Sequence, residues 1–284
     1  MNTKSKKGFS LIEILIVVTI IGILMAIIMP TYKGIASRGR AVKCKANLKN
    51  LYSATMLYAK SYSRFPNAFS YVWERSDGII DHRKGWVDWS TEKNYKEVYK
   101  KLDLGVTEWQ GPEGYFSVTN GSIWSNTGKS IESYSCPEFK ITLDRTTPMK
   151  SENVKRSYVY NRCLNERNAF RVKRMSSTLM FGEGNIYILT KGDGDHTGEG
   201  LDNENMWDGC FMPGDYENGK FTKGRNDEVL GDYHKDGTSF IVFCDGHIEK
   251  LGKTHHEEDE DGEDVLFGLC EGKVLKRLDL IKER

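Results

Sequence analysis

The chain has 284 residues, with 41 Lys and Arg against 40 Asp and Glu, for a formal net charge of +1. That balance argues against bulk electrostatic capture of nucleic acid, which needs a basic excess. Charged residues reach 29% and mean hydropathy is −0.54, so most of the chain is a solvated body.

The first predicted element begins behind a short basic leader, Lys4, Lys6 and Lys7, which Gly8 ends. Phe9 to Met29 is then an apolar run of 21 residues. At ~1.5 Å per residue it makes about 31 Å of helix, enough to cross a bilayer core. No second apolar run approaches 18 residues. The lysines place the leader on the cytoplasmic side and the rest of the chain outside. Glu13 is the only charge inside the run. An acid in lipid costs on the order of a few kcal/mol, which makes it a functional candidate in need of a partner. Its ordinary alternative is snorkelling to the interface.

Two other readings compete. A secretory signal peptide has an apolar core of about 7–15 residues, shorter than this one, and its only tolerable cut site, Gly34-Ile35-Ala36, lies far downstream. A plain single-span anchor leaves Glu13 unexplained.

The stretch GFSLIEILIVVTIIGILMAIIMP, residues 8–30, resembles the amino terminus of type IV pilin-like precursors, including the pseudopilins of type II secretion. The resemblance implies that a prepilin peptidase cuts after Gly8 and that the new amino-terminal Phe9 is N-methylated. It also implies a partner for Glu13: the freed amine of Phe9 on a neighbouring subunit, met as helices stack into a filament. Such an amine, with an unperturbed pKa of roughly 8, is mostly charged at neutral pH. Gly8, lacking a Cβ, lets a protease approach the backbone closely. The implied partners are the peptidase, other pilin or pseudopilin subunits and inner-membrane lipid, with no nucleic acid.

Beyond Pro30 the pattern stays helical. Leu48, Leu51, Tyr52, Thr55, Tyr58, Ala59 and Tyr62 recur at three- and four-residue steps, a stripe suited to packing on a sheet. Lys43, Lys45, Lys49, Asn50 and Lys60 fall on the opposite side. Pro30 is expected to kink the helix by removing one backbone hydrogen bond. Gly34 and Gly39 weaken the join by about 1 kcal/mol each against Ala. Arg64-Phe65-Pro66 supplies the stop, because the residue before Pro avoids the α region. One helix from Phe9 to Ser63 follows.

From Asn67 to about Ser130 the sequence is irregular. It holds Trp73, Trp86, Trp89, Trp109 and Trp124, five of the six tryptophans. These read as a satellite core under long loops, with sugar stacking as the alternative. Short strands are expected at Ser157–Tyr160 and Leu179–Phe181. A hairpin is expected from Ser239–Phe243 through an Asp245-Gly246 turn to His247–Leu251. The pieces Tyr134-Ser135-Cys136-Pro137, Ser157 to Asn161, Thr178 to Glu183, and Tyr233-His234 followed by Asp245-Gly246 resemble a subgroup of pilin-like proteins closed by His, nine residues and Asp-Gly. Here ten residues separate His234 from Asp245.

Six cysteines, Cys44, Cys136, Cys163, Cys210, Cys244 and Cys270, permit disulfides outside the cytoplasm or stay as buried thiols. Cys44, on the helix, is the least suited to find a partner, and Cys136 lacks an evident His partner. Asp193-Gly194-Asp195, with Asp202 following, is a Gly-spaced acidic loop whose oxygens suit Ca2+; its spacing is not that of an EF-hand, and a solvated loop is the ordinary alternative. The run His255 to Asp264 is an exposed charge block, with metal binding through His255 and His256 as a weaker reading. His234, Asp245 and His247 could meet across the hairpin, but turn and cap roles are the favoured reading. No H-E-x-x-H, G-x-S-x-G or Walker loop is present, and no enzymatic activity is expected.

The fold class expected is α+β: a long kinked amino-terminal helix, membrane-spanning in its first half, packed on an antiparallel sheet with large loop insertions. The divisions are a cytoplasmic leader (1–8), a transmembrane and assembly helix (9–29), its amphipathic continuation (30–65) and an extracytoplasmic head (66–284). The function expected is that of a subunit of a type II secretion pseudopilus or a type IV pilus-like assembly. The alternative is a membrane-anchored carbohydrate- or surface-binding module with a pilin-type leader.

Overall fold

The amino-terminal apolar run folds as the periodicity requires, and α1 spans Leu11–Tyr62 as one 52-residue helix. The structure, a computed structural model, describes residues 10–68, 70–74, 80–88, 118–146, 155–184, 210–211, 215–217, 220–222, 230–231, 233–234 and 237–252. The chain divides into two units, Met1–Arg40 and Ala41–Arg284.

In the first unit, Leu11–Met29 is a 19-residue stretch long and apolar enough to cross a membrane, and none of it is buried within the chain. A row of bare Ile, Leu and Val side chains is stable only where lipid or another apolar helix covers it. The helix continues through Pro30, the expected kink point.

In the second unit the helix turns amphipathic. Cys44, Leu48, Leu51, Ala54, Thr55 and Ala59 are buried, at the spacing that lines one helix face. Of the expected stripe, Tyr52 and Tyr58 are half-buried against this core and Tyr62 is exposed. Asn50, expected on the solvent side, instead donates from Nδ2 to Ser133 Oγ at 2.7 Å and to Thr127 O at 3.3 Å. Asn47 is buried beside it and donates to Ser135 O at 2.9 Å and Glu132 O at 3.0 Å. Both amides thus satisfy carbonyls of the segment before Cys136. Ser63 ends the helix at φ +58°, the left-handed conformation common just past a helix.

A two-stranded ribbon follows, β1 (Tyr71–Glu74) and β2 (Ile80–Arg83), paired antiparallel. Next comes a short helix, α2 (Pro137–Thr146). Proline suits its first position, where the missing N–H has no helical partner. Phe139 and Leu143, one turn apart, are its buried residues. The remaining strands are β3 (Tyr158–Asn161), β4 (Leu179–Glu183), β5 (Cys210–Phe211), β6 (Asp215–Glu217), β7 (Lys220–Thr222), β8 (Ser239–Phe243) and β9 (Ile248–Leu251).

The main sheet runs β5-β3-β4-β8-β9. The pairs β3–β4, β4–β8 and β8–β9 are antiparallel, as expected, but β5 adds parallel to β3, so the sheet is mixed. All residues of β3, β4 and β8 are buried, which leaves no strict apolar–polar alternation in the three central strands. The hairpin turn falls at Asp245-Gly246, with Gly246 at φ +88° and its N–H bonded to Phe243 O at 2.9 Å. A Cβ on Gly246 would lie 2.6 Å from the Tyr52 ring. The turn is therefore seated on α1, where Lys49 Nζ also donates to Gly246 O at 2.9 Å.

Candidate functional site

The amino-terminal end of α1 is built by Ser10 and Glu13. The Ser10 N–H donates to Glu13 Oε2 at 2.8 Å, and Ser10 Oγ accepts from the Ile12 N–H at 3.3 Å. This is a capping box, in which each side chain satisfies a backbone N–H that the helix leaves without a partner. The carboxyl group also lies at the positive end of the helix dipole. The pattern Ser-x-x-Glu is present in the sequence, but inside an apolar run it reads first as a membrane charge in need of a partner rather than as a cap. Glu13 thus has a local partner within its own chain. Gly8 and Phe9 lie outside the described residues.

The second site is wholly in the second unit, where four elements bring titratable side chains together. Cys44 comes from α1, Cys136 from the residue before α2, Glu183 from the end of β4 and His234 from the segment before β8. Their ligand atoms all lie within 4.8 Å of one another. Cys44, Cys136 and Glu183 are 0% exposed and His234 is 7% exposed. Cys44 Sγ donates to Glu183 Oε1 at 2.6 Å, and His234 Nε2 meets the same oxygen at 2.8 Å. Cys136 Sγ lies 3.4 Å from that Nε2. Glu183 Oε2 accepts the Phe240 N–H at 2.9 Å, and Tyr158 Oη donates to Cys44 Sγ at 3.1 Å. Tyr158 and Glu183 sit opposite each other across β3–β4, which places both beside Cys44.

Burial pushes the Cys44 thiol well up, reinforced by Cys136 and Glu183. Burial acts on Cys136 in the same direction, but its contacts with Cys44 and His234 outweigh it and bring that thiol down. Burial lowers His234, yet Cys136 and Glu183 more than compensate and raise it to about 10. Sulfur, nitrogen and carboxyl oxygen converging in a dry pocket are the donor set of a metal centre.

This placement corrects one reading of the sequence: Cys136 does have a His partner. Cys44, the cysteine least suited to a disulfide partner, is a free thiol at the centre of a buried network. His234, Asp245 and His247 do not meet as a trio. Asp245 Oδ1 meets His247 Nδ1 at 2.5 Å at the exposed hairpin tip, and His234 goes to Glu183 and Cys136. Cys44, Cys136, Cys163, Cys210 and Cys244 are all buried free thiols.

Trp86 is fully buried, stacked on Tyr134 at 5.8 Å and edge-on to Phe181 at 5.0 Å. It belongs to the core and offers no face for a sugar. Trp124 is half-buried beside Tyr134. The acidic loop with Asp193, Asp195 and Asp202, the run from His255 and His256, and Trp89 and Trp109 lie outside the described residues, as does the side chain of Trp73.

Residues 3–29 match the prokaryotic N-terminal methylation motif. The chain is 40% identical over 74 residues to the type IV major pilin protein PilA of Myxococcus xanthus, covering 25% of this chain and 34% of that one. It is 33% identical over 66 residues to the type II secretion system core protein G of Klebsiella michiganensis, covering 23% of this chain and 46% of that one. The chain therefore spans between a third and a half of the curated relatives it matches. No solved structure gives a significant match.

Proposed function

We propose, from the premise of a prepilin-type amino terminus on an α+β chain, that this protein is a pilin-like subunit. A prepilin peptidase cuts it after Gly8, and Phe9 is then N-methylated. The helix from residue 9 to 29 holds the subunit in the inner membrane, with the leader in the cytoplasm and the head outside. It then assembles with other pilin or pseudopilin subunits through the same helix, into a type II secretion pseudopilus or a type IV pilus-like filament. Its work is mechanical rather than catalytic.

The observation that carries this reading is the coincidence of the methylation motif at residues 3–29 with an apolar stretch, Leu11–Met29, that no described residue covers. The capping box adds a physical detail. In the precursor, Glu13 is satisfied by the start of its own helix. After cleavage a charged amine stands on Phe9, and a neighbour's Glu13 can exchange its capping bond for an ion pair. A buried pair of that kind adds little net stability but sets register.

The test is co-expression with a competent prepilin peptidase, followed by intact mass and amino-terminal sequencing. Methyl-Phe9 at the terminus is expected, and Gly8→Val is expected to leave the precursor uncut. A protein that still begins at Met1 beside an active peptidase refutes the assignment, and one that begins at Ser37 is a signal-peptide product instead.

A further inference from the structure

We infer that Cys44, Cys136, Glu183 and His234 form a structural zinc site that fastens α1 to the head. The inference is independent of the filament reading, because all four residues lie in the unit from Ala41 onward.

The donor set comes first. Two thiols, one imidazole and one carboxyl oxygen are the ligands that tetrahedral Zn2+ takes, and a closed set of four protein ligands is the mark of a structural site. With bonds of about 2.0–2.3 Å, a tetrahedral ion separates its ligand atoms by roughly 3.3–3.8 Å. The separations here run from 2.6 Å for Cys44 Sγ to Glu183 Oε1, through 3.4 Å for Cys136 Sγ to His234 Nε2, to an upper bound of 4.8 Å. Side-chain shifts of an ångström or less convert one arrangement into the other. Soft thiolates with imidazole favour zinc over the oxygen-seeking Ca2+ and Mg2+.

The bonding within the cluster is also poorly matched without an ion. A single atom, His234 Nε2, faces both Glu183 Oε1 and Cys136 Sγ. One N–H cannot serve both well. A cation at the centre replaces these competing contacts with four bonds to one charge. Uptake displaces the two thiol protons and the proton on His234 Nε2, since the thiolate and the unprotonated imidazole nitrogen are the ligands.

The surrounding shell is in place. Phe240 N–H holds Glu183 Oε2, leaving Oε1 to face inward, and Tyr158 Oη donates to Cys44 Sγ. Outer hydrogen bonds of this kind orient metal ligands and tune them. Sequence spacing gave no warning, because the four ligands come from four separate segments with no C-x-x-C among them. Three of them lie in segments that had marked the pilin-like subgroup: Ser135-Cys136-Pro137, Gly182-Glu183 and Tyr233-His234.

The test uses the full chain, purified in detergent under reducing conditions with zinc supplied and excess removed. Elemental analysis should give about one zinc per chain, as a four-ligand site requires. Co2+ loaded in its place should show the visible bands of a tetrahedral ion and a thiolate charge-transfer band. Cys136→Ser and His234→Ala should lose most of the bound metal, and Cys244→Ser, a buried thiol outside the cluster, should keep it. Wild-type protein that takes up no zinc overturns the inference, whatever the variants do. So does a native Cys44–Cys136 disulfide, seen by mass in protein isolated without reductant and resistant to zinc loading after reduction.

Discussion

Replacing Trp86 by Ala removes a fully buried indole from the junction of the loop segment and the main sheet. The ring stacks on Tyr134 with an interplanar angle of 13° and meets Phe181 at 68°. Truncating a buried Trp to Ala costs about 3–5 kcal/mol, as transfer free energy and residual cavity together. The upper half applies here, since aromatic contacts add about 0.5–1.5 kcal/mol per pair beyond area and Tyr134, Tyr160 and Phe181 all lose a partner ring. For a head of this size each kcal/mol moves the midpoint by about 2–4 °C, so a fall of roughly 8–20 °C is expected. Near-UV circular dichroism of the detergent-solubilised chain reads head packing without interference from the amino-terminal apolar helix. Trp86→Phe should recover part of the loss, and Trp124→Ala, at a half-buried ring, should cost under about 2 kcal/mol. A Trp86→Ala protein within about 1 kcal/mol of wild type would refute the core assignment and restore the indole as a candidate for sugar stacking.

The capping box separates two roles of Glu13. Glu13→Gln keeps the hydrogen bond to Ser10 and loses the charge, whereas Glu13→Val loses both; filament yield should fall in both, but helix content of the first turns should fall only in the Val variant. Equal filament yield from the Gln variant would remove the ion-pair role. Gly246→Ala forces a side chain into the left-handed region and against Tyr52, and should destabilise the head by about 1–3 kcal/mol in urea titration. At the hairpin tip, slight burial raises the Asp245 carboxyl, but the His247 N–H and imidazole outweigh it and lower it on balance. A depressed acid stabilises above its unfolded pKa and loses that contribution as pH falls through the lower, folded one. Asp245→Asn should therefore cost about 0.2–1 kcal/mol at neutral pH, and the difference should shrink as the pH approaches 3 and below. A difference that stays constant down the acid range would show that the charge is not its source.

The helix and the last hairpin were legible because each is local. A three- and four-residue stripe specifies α1, and Asp-Gly between two apolar runs specifies β8 and β9, with β8 at the expected residues. Short strands β3 and β4 were placed to within two residues. α2 was missed, although Pro137 behind Cys136 is a fair helix start, since only Phe139 and Leu143 give it an apolar face. The parallel addition of β5 was hidden because a two-residue strand carries no period. The buried cluster was illegible for a different reason. Nothing in a one-dimensional spacing links a helix cysteine to a strand-end glutamate, and only the β3–β4 register brings Tyr158 and Glu183 under Cys44.

The outermost position of β9 bears on how copies of this chain can meet. It ends the main sheet among the described residues, and it carries Glu249 and Lys250 in its centre. Charged side chains on a terminal strand discourage another chain from extending the ladder of backbone hydrogen bonds. Growth by strand addition is thereby made unfavourable on that side of the head. In the proposed filament, association is then left to the apolar amino-terminal helix, through side-chain packing rather than a shared ladder of backbone hydrogen bonds.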